Sequence, residues 1–251
     1  MCLIVFAWRP DHAQPLVVAA NRDEFHARPS LPLGCWEDAP WIIGGRDLQA
    51  GGTWMGVTAR GRFAALTNIR APGQAIGPRS RGELPEQYLR GNLPPADYLA
   101  ELAERRGDYA GFNLLVGDRQ TLWYLNSHDG QPQALQAGVY GLSNAGLDTP
   151  WPKLRKARAA LADALDQAEP ERLLALLADA EPAAEHELPQ TGVPLEWERR
   201  LSSVFIASAE YGTRASTALI RHADGSLDIV ERSFGPDGPL NEVRYRQPPR
   251  D

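Results

Sequence analysis

Residues 2–8 (CLIVFAW) place seven side chains in a row with no charged or amide group among them, and this run most constrains the fold. An apolar stretch of that length, too short for an ordinary helix, is the pattern of a strand buried on both faces. A turn at 9–11 precedes a second apolar run, 16–20 (LVVAA), which reads as the returning strand of a hairpin. That strand runs directly into Asn21-Arg22-Asp23-Glu24. Four polar residues at the end of a buried strand make either a solvated turn or a constellation beside the hairpin's first residue.

The rest of the chain alternates between clusters of strands and pairs of helices. The proline-rich segment 26–40 lacks periodicity and is predicted as loop. Strands are predicted at 41–44, 53–58 and 62–67, punctuated by Gly51-Gly52 and Gly61. Helices follow over 83–90 and 95–106, then strands at 112–117, 121–126 and 138–142. Helices over 152–166 and 170–179 come next, the first opened by Pro152. A long loop is predicted at 181–200, strands near 203–208, 216–221 and 226–232, and a proline-containing tail at the end. This order fits layered packing better than strict βαβ alternation. The expected fold is α+β, a four-layer αββα sandwich of two largely antiparallel sheets between helices. A single domain is expected over 1–251, with its core at about 2–234 and a tail at 235–251.

Charge and composition exclude several function classes. Lys and Arg number 26 against 32 Asp and Glu, a net charge of −6, and the arginines are scattered. A nucleic-acid surface needs clustered positive charge, so no nucleic-acid partner is expected. No phosphate loop, dinucleotide fingerprint, HExxH or zinc spacing occurs, so neither a nucleotide nor a metal is expected. No window approaches the roughly 18 apolar residues of a membrane span. The first residues lack the basic segment and cleavage site of a secretory signal. A cytoplasmic location is expected, with the two cysteines, Cys2 and Cys35, as free thiols. Oligomeric state is not readable.

Cys2 is the sharpest chemical feature. Initiator methionine is generally removed ahead of a small residue, so the mature chain is expected to begin with Cys2. One residue then carries a thiol and an α-amine that titrates near ~8, able to take the thiol proton without a histidine. The competing reading is a small hydrophobe at the start of a buried strand. The hairpin would return Arg22 and Asp23 to the side of Cys2. There a guanidinium lowers a thiol's pKa and a carboxylate orients the amine; otherwise the two form an ordinary surface pair. Asn144, in Leu142-Ser143-Asn144, is placed to donate to an oxyanion, or makes a turn. Asn68 and Asn113 have weaker claims of the same kind. Arg214, in Tyr211-Gly212-Thr213-Arg214, contacts an anionic substrate group or belongs to a hairpin turn.

Taken in order, Met1-Cys2, Asn21-Arg22-Asp23-Glu24, Gly52-Thr53-Trp54, Thr67-Asn68, Ser80-Arg81-Gly82, Gly111-Phe112-Asn113, Leu142-Ser143-Asn144 and Tyr211-Gly212-Thr213-Arg214 resemble the NRDE family. It is also called the transport and Golgi organisation protein 2 family. The resemblance spans residue 1 to about 234. It implies an N-terminal-nucleophile hydrolase fold similar to penicillin V acylase and bile salt hydrolase, which cleave linear amides with a mature N-terminal cysteine. It implies Cys2 as nucleophile, Arg22 and Asp23 as the arginine and aspartate near the end of the second strand, and Asn144 as the oxyanion asparagine. Asn21, Glu24, Asn68 and Arg214 are the expected substrate contacts. The acylases separate their arginine and aspartate by two residues, so Asp23 or Glu24 fills the acidic role. The resemblance also implies a rival. Eukaryotic relatives are linked to haem movement, to lipid and acyl-CoA homeostasis and to secretion. In that case a non-catalytic carrier would hold haem through Cys2 or His26, with Trp8, Trp36, Trp41 and Trp54 lining an apolar pocket or filling the core. The expected partner is thus a small acyl or amide substrate, with no cofactor, or haem under the alternative.

Overall fold

The computed structural model describes residues 2–73 and 77–249. In chain order the elements are β1 (Cys2–Trp8), β2 (Leu16–Phe25), β3 (Ser30–Trp36), β4 (Ala39–Asp47), β5 (Met55–Thr58), β6 (Phe63–Asn68), α1 (Glu83–Arg90) and α2 (Pro95–Glu104). They continue with β7 (Phe112–Gly117), β8 (Leu122–Asn126), β9 (Gln133–Ala134), β10 (Gly138–Leu142), α3 (Pro152–Ala164), α4 (Pro170–Ala175), α5 (Leu195–Arg200), β11 (Tyr211–Arg221), β12 (Leu227–Gly235) and β13 (Gly238–Gln247). The chain divides into two compact units. Among the described residues, the first holds those up to Ala27, Arg70–Pro72 and those from Ala137 onward; the second holds the remainder.

The first unit is built on a six-stranded antiparallel sheet ordered β10-β1-β2-β11-β12-β13. Every residue of β1 is buried, as its unbroken apolar run requires. One face, carrying Leu3, Val5, Val17, Ala19, Ala218 and Ile220, packs on Leu154, Ala157 and Leu161 of α3 and Leu173 and Leu174 of α4. The second unit has a seven-stranded antiparallel sheet running β3 to β9 in sequence order. Its core joins Ile42, Ala64, Leu114 and Val116 to Leu84, Tyr88 and Leu89 of α1 and Leu99 and Leu102 of α2. The chain is therefore α+β, with a sheet layer and a helical layer in each unit. These are the components expected of an αββα protein.

Four segments depart from the sequence expectation, each for a readable reason. The 26–40 loop contains β3 and the start of β4. Pro32 is tolerated because β3 is an edge strand, where a missing N–H breaks no second ladder. The 181–200 loop ends in α5, opened by Pro194. Residues 203–208 form no strand. The Ile206 carbonyl accepts from Thr213 N–H and the Phe205 N–H donates to the Asp179 carbonyl, so this backbone is satisfied outside any ladder. The expected tail contains β13, an edge strand with exposed side chains and hence no apolar alternation to read. Beside its ladder to β12, ion pairs among Arg232, Glu242, Arg244 and Glu171 hold it.

Candidate active site

The site starts from the register of the first hairpin. Antiparallel pairing sets Cys2 opposite Arg22. On the other side of β1, the Ser143 hydroxyl donates to the Cys2 carbonyl at 3.2 Å and to Asn144 Oδ1 at 3.3 Å. The Asn144 carbonyl accepts from the Arg70 N–H at 2.7 Å. Residue 2 is thus held by the strand after it and by the turn that follows β10. Asn144 is buried immediately beyond that turn.

Asp23 is buried between β2 and β11, where the pairing skips Arg214 as a bulge between Thr213 and Ala215. Its Oδ1 accepts from the Thr213 hydroxyl at 2.8 Å, and that hydroxyl accepts from Ile206 N–H at 2.9 Å. The Tyr211 hydroxyl donates to the Asp23 carbonyl at 3.1 Å. Asp23 Oδ2 faces the ammonium of Lys153 at 4.0 Å. Lys153 sits in the first turn of α3, its side chain 1% exposed, and its Nζ hydrogen-bonds to no described residue.

Burial dominates the ionisation of all three groups, because it penalises the charged form of each. It pushes the Cys2 thiol up, and Asp23 adds to that; Arg22 and a hydrogen bond from the Asp23 backbone pull it down. Burial raises the Asp23 carboxyl, opposed by Lys153, Thr213 and Arg22. It lowers Lys153 to about 8, with Asp23 acting to raise it, Arg70 to lower it and Cys2 to raise it. Burial thus biases each of the three toward its neutral form.

The other sequence-predicted residues take different places. Glu24 is half-buried and accepts from its neighbour's N–H, Phe25, at 2.9 Å, whereas Asp23 is fully enclosed. Asn21 is buried on the helix-covered face. Its amide donates to the Leu177 and Val204 carbonyls and accepts from Ser216, so its hydrogen-bonding groups are committed to protein partners. Arg214 donates to the Phe25 and His26 carbonyls at 2.9 and 3.0 Å, clamping the turn after β2. Asn68 ends β6 in the second unit, and Asn113 there joins a buried network with Thr67, Tyr124 and Asn126. His26 Nε2 meets the Ser208 carbonyl at 3.1 Å. Among the described residues no cluster of three His, Cys, Asp or Glu groups forms a metal site. Trp8 and Trp36 are core residues, and Trp41 is exposed. Met1 lies outside the described residues.

Sequence reasoning missed Lys153, Thr213 and Ser143. Lys153 had a signal, since it opens the stripe Lys153, Ala157, Leu161, Ala164 that is buried along α3. A lysine at an apolar position of an amphipathic helix calls for a buried counter-charge.

The model of the family described as Transport and Golgi organisation 2 matches residues 1–236. The chain belongs to that family. The mouse Transport and Golgi organization 2 homolog is 34% identical over 257 residues, covering 93% of each chain. The human Transport and Golgi organization protein 2 homolog is also 34% identical at the same coverage. Among solved structures, the C2A mutant of conjugated bile acid hydrolase from Clostridium perfringens has a TM-score of 0.43 at 8% identity. That alignment covers 99% of this chain and 97% of that one. The Transport and Golgi organisation 2 match takes in every residue assembled above, from Cys2 to Arg214.

Proposed function

We propose that this protein is a cysteine hydrolase or acyl transferase of the N-terminal-nucleophile kind, acting on a linear amide through Cys2. What supports the reading is one juxtaposition: a buried thiol with Asp23 and Arg22 beside it and Asn144 tied through Ser143 to the Cys2 carbonyl. An ordinary core cysteine has no use for these polar neighbours.

In this mechanism Met1 is removed and the α-amine of Cys2 takes the thiol proton. The thiolate attacks the amide carbon, and the Asn144 amide receives the oxyanion. The α-ammonium returns its proton to the leaving nitrogen, the C–N bond breaks, and a thioester remains on Cys2. Water gives a proton to the amine, attacks the thioester and restores the thiol; an amine in place of water gives transfer instead.

Intact mass and an electrophilic acyl probe test the proposal. The expected result is a chain lacking Met1 that takes up one acyl group on Cys2 and none in Cys2→Ala. A chain that keeps Met1, stays unlabelled and binds haem saturably by absorbance titration would overturn it in favour of a carrier.

A further inference from the structure

We propose that Lys153 is a positioning residue of the Cys2 site, its buried ammonium holding the Asp23 carboxylate ionised so that Asp23 can hold the amine that activates the thiol. This rests on the functional reading above and assigns a role to a residue outside its nucleophile and oxyanion machinery.

The argument is one of buried charge. A carboxyl as enclosed as Asp23 is driven toward its neutral form, and a neutral acid does not hold an ammonium. Cations must therefore keep it charged. The groups acting on it are Lys153 on α3, the α-amino terminus, Arg22 on its own strand, Cys2 on β1, Thr213 and Tyr211 on β11, and Arg70 with its partner Glu198 on α5. Arg70 is already committed: its guanidinium pairs with Glu198 at 2.7 Å, both side chains at most 5% exposed, and stacks on Trp151. Arg22 stands opposite Cys2 in the hairpin register. Lys153 acts most strongly on the carboxyl: its Nζ lies 4.0 Å from Asp23 Oδ2, both side chains are at most 1% exposed, and it makes no hydrogen bond to a described residue. A buried ammonium on an apolar helix face calls for a charge opposite it.

The arrangement also makes the hold conditional on protonation. Above about pH 8 Lys153 loses its charge and Asp23 loses its cation. An arginine at the same position would stay charged throughout.

The test is carboxyl-carbon NMR of protein labelled at aspartate, with the Asp23 signal assigned by its loss in Asp23→Asn, alongside the rate of acyl labelling of Cys2. In wild type the Asp23 carboxyl is expected to be ionised at pH 7 and to shift as Lys153 titrates near pH 8. Lys153→Met should protonate Asp23 at pH 7 and slow Cys2 labelling by about tenfold or more, the equivalent of one pKa unit. Lys153→Arg should keep Asp23 ionised, restore labelling and shrink the step near pH 8 to what the α-amine alone contributes. An Asp23 charge state identical in wild type and Lys153→Met would overturn the proposal. If Lys153→Met does not fold, an alkaline step of undiminished size in Lys153→Arg would do the same. Absence of labelling in wild type counts against the Cys2 reading alone, because the carboxyl titration reads the Lys153–Asp23 coupling without it.

Discussion

Lys153 makes a stability prediction separate from chemistry. Its folded pKa of about 8 lies below the ordinary lysine value of 10.5. Between those limits the unfolded chain binds the proton that the folded one has released, so stability should rise with pH across that window. A shift of this size corresponds to on the order of 3 kcal/mol. Denaturant titrations at pH 7.5 and 10.5 should show wild type gaining relative to Lys153→Met; parallel curves would place the titration elsewhere. Individual residues were unevenly legible. Cys2, Arg22 and Asp23 could be brought together from the hairpin alone, because antiparallel pairing returns the end of β2 to the start of β1. Asn21 could not be separated from its neighbours in the tetrad. In a strand, alternate side chains take opposite faces, and only the packing says that its amide ties β2 to the 177 and 204 carbonyls.

Among the elements, β11 holds Asp23 directly, through the Thr213 and Tyr211 hydroxyls. Gly212 lies next to Thr213, and a Cβ there would stand 2.5 Å from the Ile206 carbonyl. That carbonyl accepts from Thr213 N–H, and Thr213 in turn orients Asp23. Gly212→Ala should therefore push the 206 segment away and loosen Asp23. We expect a loss of about 1–3 kcal/mol, as for overpacking, and slower Cys2 labelling; Thr213→Val should slow labelling with a smaller loss of stability. Unchanged labelling in both would show that Thr213 does not position the carboxylate. Elements with a one-sided apolar period, α1 to α3 and the strands of both sheets' interiors, were readable in advance. The edges were not. On β3 and β13 the backbone ladder carries the pairing while the side chains lie largely at the surface, leaving little periodicity for the sequence to express.

For the whole molecule, the family match ends at residue 236, just before β13 begins. Deleting 236–251 should leave Cys2 labelling intact, because β13 pairs with β12 at the far end of the sheet from β10 and β1. It should also bare the hydrogen-bonding edge of β12 and raise self-association, measurable by size-exclusion chromatography. Loss of labelling in a folded truncation would mean that the strand matters to the site. The position of β1 has a practical consequence of another sort. It lies inside its sheet, with β10 on one flank and β2 on the other, and its first residue carries the sulfur proposed as the nucleophile. Under the proposed mechanism, any affinity handle spliced in front of residue 2 would convert the proton-accepting amine into an inert peptide bond. Purification sequences for this protein therefore belong past Gln247, and a preparation tagged at the other end serves as its own silenced control.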